Sequence, residues 1–201
     1  MPHFLTAFPT KLTQQLAGNR DGLPVKVFAQ DETRLGLQPI LRRRITACGV
    51  QPVATVWPRF DNFYLFGAVE PITGDSFFLE LPLLNSALFP LWLDDFAHTF
   101  AASFNILVLD NGAFHTAKAL RWPPNVATVP FPPYSPELNP MERLWRDLKD
   151  QLANTVVKTL DALSNTVCHL IQNYAPAALK SLTSFAYFVQ AVQTALHTTN
   201  V

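Results

Sequence analysis

The chain has 201 residues, 49% of them hydrophobic, with 15 basic and 15 acidic side chains and so no net charge. That length and apolar fraction predict one folded domain with a substantial core, and zero net charge argues against a strong autonomous nucleic-acid binder. Two cysteines without a CxxC or Cys/His cluster exclude a disulfide framework and a structural zinc site, and neither a signal peptide nor a run of eighteen apolar residues is present, which fits a cytoplasmic, non-membrane protein.

Residues 1–24 predict a lead-in segment, with a short helix around Lys11 to Ala17 followed by turn formers. The apolar, β-rich run at 23–30 (LPVKVFAQ) predicts a first strand ending at Asp31, and 63–69 (FYLFGAV) and 76–81 (SFFLEL) predict a hairpin across the turn EPITGD. Apolar residues at helical intervals, Leu88, Leu91, Trp92, Phe96 and Phe100, predict a helix over 85–104. The wholly apolar FNILVL at 104–109 predicts a central strand covered on both faces. A short helix over 114–121 and a strand at 126–130 follow. The loop FPPYSPELNP then leads into a helix over 140–153, and further helices are expected over 159–173 and 177–193.

Three carboxylates fall at predicted element ends: Asp31 after the first strand, Asp110 after the fourth, and Glu142 in the first turn of the helix after the proline-rich loop. Adjacent central strands can bring Asp31 and Asp110 together, and a helix packed beside them can add Glu142. Three carboxylates in one place repel each other unless a cation lies between them. The natural occupant is a hard divalent ion, Mg²⁺ above all, and a pair of ions about 3.5–4 Å apart can activate a nucleophile and stabilise a leaving oxygen of a phosphodiester. Each residue also has a local explanation. Asp31 and Asp110 suit turns, and Asn139-Pro140-Met141-Glu142 reads as a capping box in which Glu142 serves the helix rather than a metal.

Together these segments resemble the mariner-related bacterial insertion-sequence DDE transposases. The resemblance rests on QDETRLGL at 30–37, VLDNGAFH at 108–115 and PPYSPELNPMERLWRDLK at 132–149, the last being long and specific, and it runs from about Val25 to Gln193. It implies an α/β, RNase H-like fold: a mixed five-stranded sheet, three antiparallel strands then two parallel, flanked by helices. The expected division is a lead-in (1–24), a catalytic core (25–153) and C-terminal helices packed on it (154–201). The resemblance puts the catalytic, metal-binding set on Asp31, Asp110 and Glu142, with Asn111 and His115 beside it and two Mg²⁺ or Mn²⁺ ions per site.

The resemblance also implies DNA cleavage and strand transfer at element terminal inverted repeats, insertion at a TA target, an active homodimer, and a bacterial, nucleoid-associated location. Residues 1–60 hold eight Lys and Arg against three Asp and Glu, an excess of +5 that includes Arg42, Arg43 and Arg44. A basic run before Gly-x-x-Pro is a family feature, and arginine forks suit phosphate oxygens. Ile45 stands where many relatives have tryptophan, and 31 residues separate Asp110 from Glu142, slightly fewer than in much of the superfamily. Relatives carry helix-turn-helix domains ahead of this region, and no recognition helix is legible here. The expectation is a split-frame product whose DNA-binding half comes from an upstream frame, or a truncated copy. The alternatives are a non-catalytic relic and a stand-alone RNase H-like nuclease.

Overall fold

The computed structural model describes residues 2–43, 45–51, 53, 59–110 and 120–199. Arg44, Asn111, His115 and the helix expected over 114–121 lie outside the described residues, apart from residues 120 and 121, which are not helical.

Five strands form one mixed sheet in the order β3-β2-β1-β4-β5: β1 (Val25–Gly36), β2 (Asn62–Val69), β3 (Ser76–Leu81), β4 (Phe104–Leu109) and β5 (Val126–Pro130). β1 to β3 form an antiparallel meander, and β4 and β5 add in parallel on the other side of β1. The parallel strands need a crossover, which α2 (Phe89–Thr99) supplies between β3 and β4. All six residues of β4 are buried, as a strand covered on both faces requires.

Alternation along β1 separates two cores. Phe28 packs with Phe66, Leu107 and the α2 residues Phe89, Trp92 and Phe96. Val27, Ala29 and Leu35 face the opposite core, which collects α1 (Pro2–Leu16), α3 (Met141–Gln151), α4 (Leu160–Gln172), α5 (Pro176–Thr183) and α6 (Ala186–Thr199). The α3 residues Met141, Leu144, Trp145 and Leu148 form the buried stripe of an amphipathic helix. No described helix is long and apolar enough to cross a membrane.

Four expectations change in detail. The lead-in helix is longer than its sequence signal, because Phe4, Phe8, Leu12 and Leu16 are all buried against the core. β1 does not stop at Gln30; it runs on to Gly36, paired with β2 alone after its pairing with β4 ends at Ala29. A strand with one neighbour and a partly open face can carry the polar run QDETR. The helix expected over 85–104 is the shorter α2, because Asn85 spends its side chain accepting from Ala87 and Leu88 N–H groups in a turn. The last predicted helix is two, since Ser184 leaves helical geometry and its hydroxyl donates to Pro71 O at 2.7 Å.

Candidate active site

The parallel register of β1 and β4 pairs Ala29 with Val108. Asp31 and Asp110 each follow that last pair by two residues, so both leave the same end of adjacent strands. Asp31 thus lies inside β1, at the point where β4 ends and exposes the sheet. Asp110 is exposed at the tip of β4.

Glu142 arrives from the other direction. A 3-10 turn (Pro136–Leu138) precedes α3, and Asn139 ties it to the sheet by donating from Nδ2 to Gln30 O at 3.0 Å. Asn139 Oδ1 accepts from Met141 N–H at 3.1 Å, so the asparagine caps the helix as expected. The reciprocal half of the capping box is not made. The Asn139 N–H donates to Pro136 O at 2.9 Å instead, and Glu142 is exposed, facing a cleft. Cap and ligand do not compete for this carboxylate.

The cleft has a volume of about 420 Å³ and is lined by Asp31, Asp110, Pro133, Tyr134, Ser135, Pro136, Asn139 and Glu142. All three sequence-predicted carboxylates therefore share one cavity wall. Burial pushes the Asp31 carboxyl up from 3.8 to about 7, with the charges of Glu142 and, less strongly, Asp110 adding to the rise. The Glu32 backbone and the Trp145 indole oppose it by hydrogen bonding to the ionised form. Trp145 Nε1 donates to Asp31 Oδ2 at 3.0 Å, which orients the carboxylate at the edge of the cleft.

Gly67 makes that contact possible. It pairs with Asp31 across β2, and a Cβ there would meet Trp145 Cη2 at 2.6 Å, Phe78 Cε1 at 2.8 Å and Met141 Cε at 2.9 Å. Only a bare backbone leaves room for the indole beside Asp31. The contacts that Trp145 and Gly67 make at Asp31, and the bond from Asn139 to Gln30 O, were not anticipated from the sequence, in which Asn139 reads only as the helix cap. The signal for Trp145 was its position three residues after Glu142, on a neighbouring part of the same helix surface.

The donor set suits a hard cation: oxygen ligands, mutual repulsion and one desolvated carboxyl held above its ordinary range. Among the described residues no three or more His, Cys, Asp or Glu side chains are placed closely enough to hold a metal ion by themselves. Mg²⁺ does not require such a set, because it keeps several waters and binds through one or two carboxylates plus substrate phosphates.

Arg42 and Arg43 are exposed in the connector between β1 and β2, away from the residues that line the cleft. Arg42 Nε pairs with Asp150 Oδ1 of α3 at 2.5 Å.

A mixed five-stranded sheet with this strand order and a carboxylate cleft at the end of its central strands defines the class of RNase H-like polynucleotidyl transferases. The sequence profile of the DDE superfamily endonucleases matches residues 26–164, and the chain belongs to that family. Its fold and family are those of a DDE transposase catalytic domain.

An uncharacterized protein of Sinorhizobium fredii, y4pE/y4sA, is 34% identical over 113 residues, covering 52% of this chain and 79% of that protein. The insertion element IS630 39 kDa protein of Shigella sonnei is 28% identical over 156 residues, covering 75% of this chain and 46% of that protein. Among solved structures, the Mos1 transposase paired-end complex with left transposon end superposes with a TM-score of 0.67 at 15% identity, over 96% of this chain and 60% of that one. The Mos1 mariner paired-end complex with Mn gives 0.65 at 14%, over 95% and 59%. The chain thus spans under half of the insertion-element protein and about three-fifths of the Mos1 transposase chain.

Proposed function

We propose that this chain cuts and joins DNA strands, with Asp31 and Asp110 as ligands of a divalent ion and Glu142 completing a second ion position. The observation that carries the reading is the convergence of these three carboxylates on one cleft of a DDE-family fold. Mg²⁺ or Mn²⁺ held there would polarise a phosphodiester and neutralise charge on the oxygen that departs. The chain's own part is positional. Trp145 holds one oxygen of Asp31, Asn139 locks the start of α3 to β1, and Glu142 is thereby presented to the cleft. In the first step water adds to phosphorus as one P–O bond breaks; in the second a DNA 3′-hydroxyl attacks a target phosphodiester, one P–O bond forming for each lost.

The Mn in a Mos1 complex and the transposon end in another support a divalent metal and a DNA substrate for this chain too. The same reading takes terminal inverted repeats and a TA target as the DNA, a homodimer as the active unit, and an upstream helix-turn-helix half as the source of sequence recognition. It takes residues 25–153 as the catalytic core and the flanking helices as its support. Arg43, together with Arg42 once released from Asp150, would contact backbone phosphates, and Arg44, Asn111 and His115 keep the roles that the resemblance implies.

Cleavage of element-end DNA with Mg²⁺ or Mn²⁺ tests the reading. Asp31→Asn, Asp110→Asn and Glu142→Gln should each lower the rate roughly a thousandfold, since a catalytic metal supplies several kcal/mol of transition-state stabilisation. Equal activity in wild type and all three variants would sink the assignment. Cleavage without strand joining would make the chain a nuclease instead.

A further inference from the structure

Tyr134 stands out in the wall of the cleft. Its side chain is fully exposed, at 101% of the reference area, and its backbone is left-handed, with φ of 55°. That conformation is uncommon for any residue with a Cβ and rarer still for a bulky one. The only other such non-glycine among the described residues is Asn154, φ 58°, a residue type that adopts it readily and whose N–H there donates to Ile40 O at 2.9 Å. Tyr134 has no comparable local reason. Pro133 on one side and Ser135-Pro136 on the other restrict the chain around it, and the Ser135 hydroxyl donates back to Pro133 O at 3.2 Å. The loop therefore combines a left-handed backbone at Tyr134 with an aromatic ring held out in water.

The cleft explains what such a ring could meet. Its described lining includes three carboxylates and no Lys, Arg or His, so the wall offers DNA little electrostatic attraction of its own. Its 420 Å³ falls within the range of small-ligand pockets, about 300–1,000 Å³. Stacking on a base needs no charge and tolerates any sequence. It does need a free π-face, which a base inside a duplex lacks and an unpaired base has.

We infer that Tyr134 stacks on an unpaired base of the DNA next to the scissile phosphate and so positions that phosphate over Asp31, Asp110 and Glu142; this rests on the reading of the cleft as a DNA strand-cleaving site. Tyr134 is a substrate-positioning residue in this scheme, and its ring rather than its hydroxyl does the holding.

The test uses the full chain at low ionic strength without added metal, and a DNA duplex with a single-stranded overhang that carries 2-aminopurine at its first unpaired position. Stacking quenches this base's fluorescence. Wild type and Tyr134→Phe should quench it, whereas Tyr134→Gly should not and should bind roughly tenfold more weakly. Glycine fits φ of 55° without strain, so Tyr134→Gly should melt no lower than wild type, which separates loss of the ring from loss of the fold. Undiminished quenching by Tyr134→Gly, or lost quenching by Tyr134→Phe, would overturn the inference. Metal-dependent cleavage by a wild type that does not quench would overturn the inference alone; no cleavage and no DNA binding would remove the functional reading as well.

Discussion

Two tryptophans on opposite faces of the sheet show how differently one fold uses the same side chain. Trp92 of α2 is fully buried, stacked between Phe89 at 5.7 Å and Phe96 at 5.2 Å between centroids, and its indole N–H has no partner among the described residues. It contributes volume and ring contacts and leaves a polar atom unsatisfied, at a cost. Trp145 of α3 is almost as buried, at 2% exposure, yet its N–H reaches Asp31. One face of the sheet is a closed aromatic core; the other opens, at its end, into the carboxylate cleft. The adjacent residues Asp31 and Glu32 divide in the same way, because successive side chains of a strand point to opposite faces. Glu32 accepts from Gln30 Nε2 at 2.7 Å, and burial raises its carboxyl from 4.5 to about 8.

The comparison breaks most visibly in metal affinity. Trp145→Phe keeps the ring and deletes the donor to Asp31, so Mn²⁺ binding by titration calorimetry should weaken roughly 10–100-fold, the usual cost of losing a support to a metal ligand. Trp92→Phe should lower thermal stability and leave Mn²⁺ affinity as it was. Equal metal affinities in the two variants would show that the Trp145–Asp31 bond is only structural.

A smaller effect is expected at Gly67. Gly67→Ala places a methyl group 2.6 Å from the Trp145 ring and should cost about 1–3 kcal/mol in denaturant unfolding, the usual range for overpacking. It should also slow cleavage by moving the indole off Asp31. Unchanged stability and rate would mean that the α3 face repacks freely.

The pH dependence of stability tests the same pair of faces. Asp31 and Glu32 have folded values of about 7 and 8 against ordinary values of 3.8 and 4.5, so the folded chain binds more protons than the unfolded one between those limits. These two groups should therefore lower stability as pH rises from about 4.5 to 8. Glu32→Gln should flatten the upper part of this slope, and saturating Mn²⁺ should offset the contribution of Asp31 by favouring its ionised form. A metal-free stability profile that rises over this window would contradict the burial of both groups.

Much of the architecture was legible in the sequence because its signals are local. FNILVL, SFFLEL and VATVP have their observed bounds as strands, since their composition and flanking turns suffice. Helix ends were less legible where distant groups decide them, as at Ser184, whose hydroxyl bonds Pro71 from the far end of the hairpin β2–β3. The extent of β1 was misjudged because QDETR has the polarity of a turn; its extended form depends on pairing with β2, thirty or more residues away in sequence. Tyr134 was hidden for a related reason, since a Pro-rich loop announces a turn and not the direction in which one ring projects.

The sequence by itself determined the class: three ordered motifs, an apolar central strand and a capped helix behind a proline-rich loop are enough to specify a DDE-type sheet and to nominate Asp31, Asp110 and Glu142. Only the tertiary structure decided where each nominee sits. Adjacent parallel strands deliver Asp31 and Asp110 to one cleft, Asn139 makes the cap and leaves Glu142 to that cleft, and a glycine admits the indole that holds Asp31. The physical reason is range: turn and cap preferences act over a few residues, whereas charge repulsion, desolvation and hydrogen bonding at this site join groups about eighty to more than a hundred residues apart.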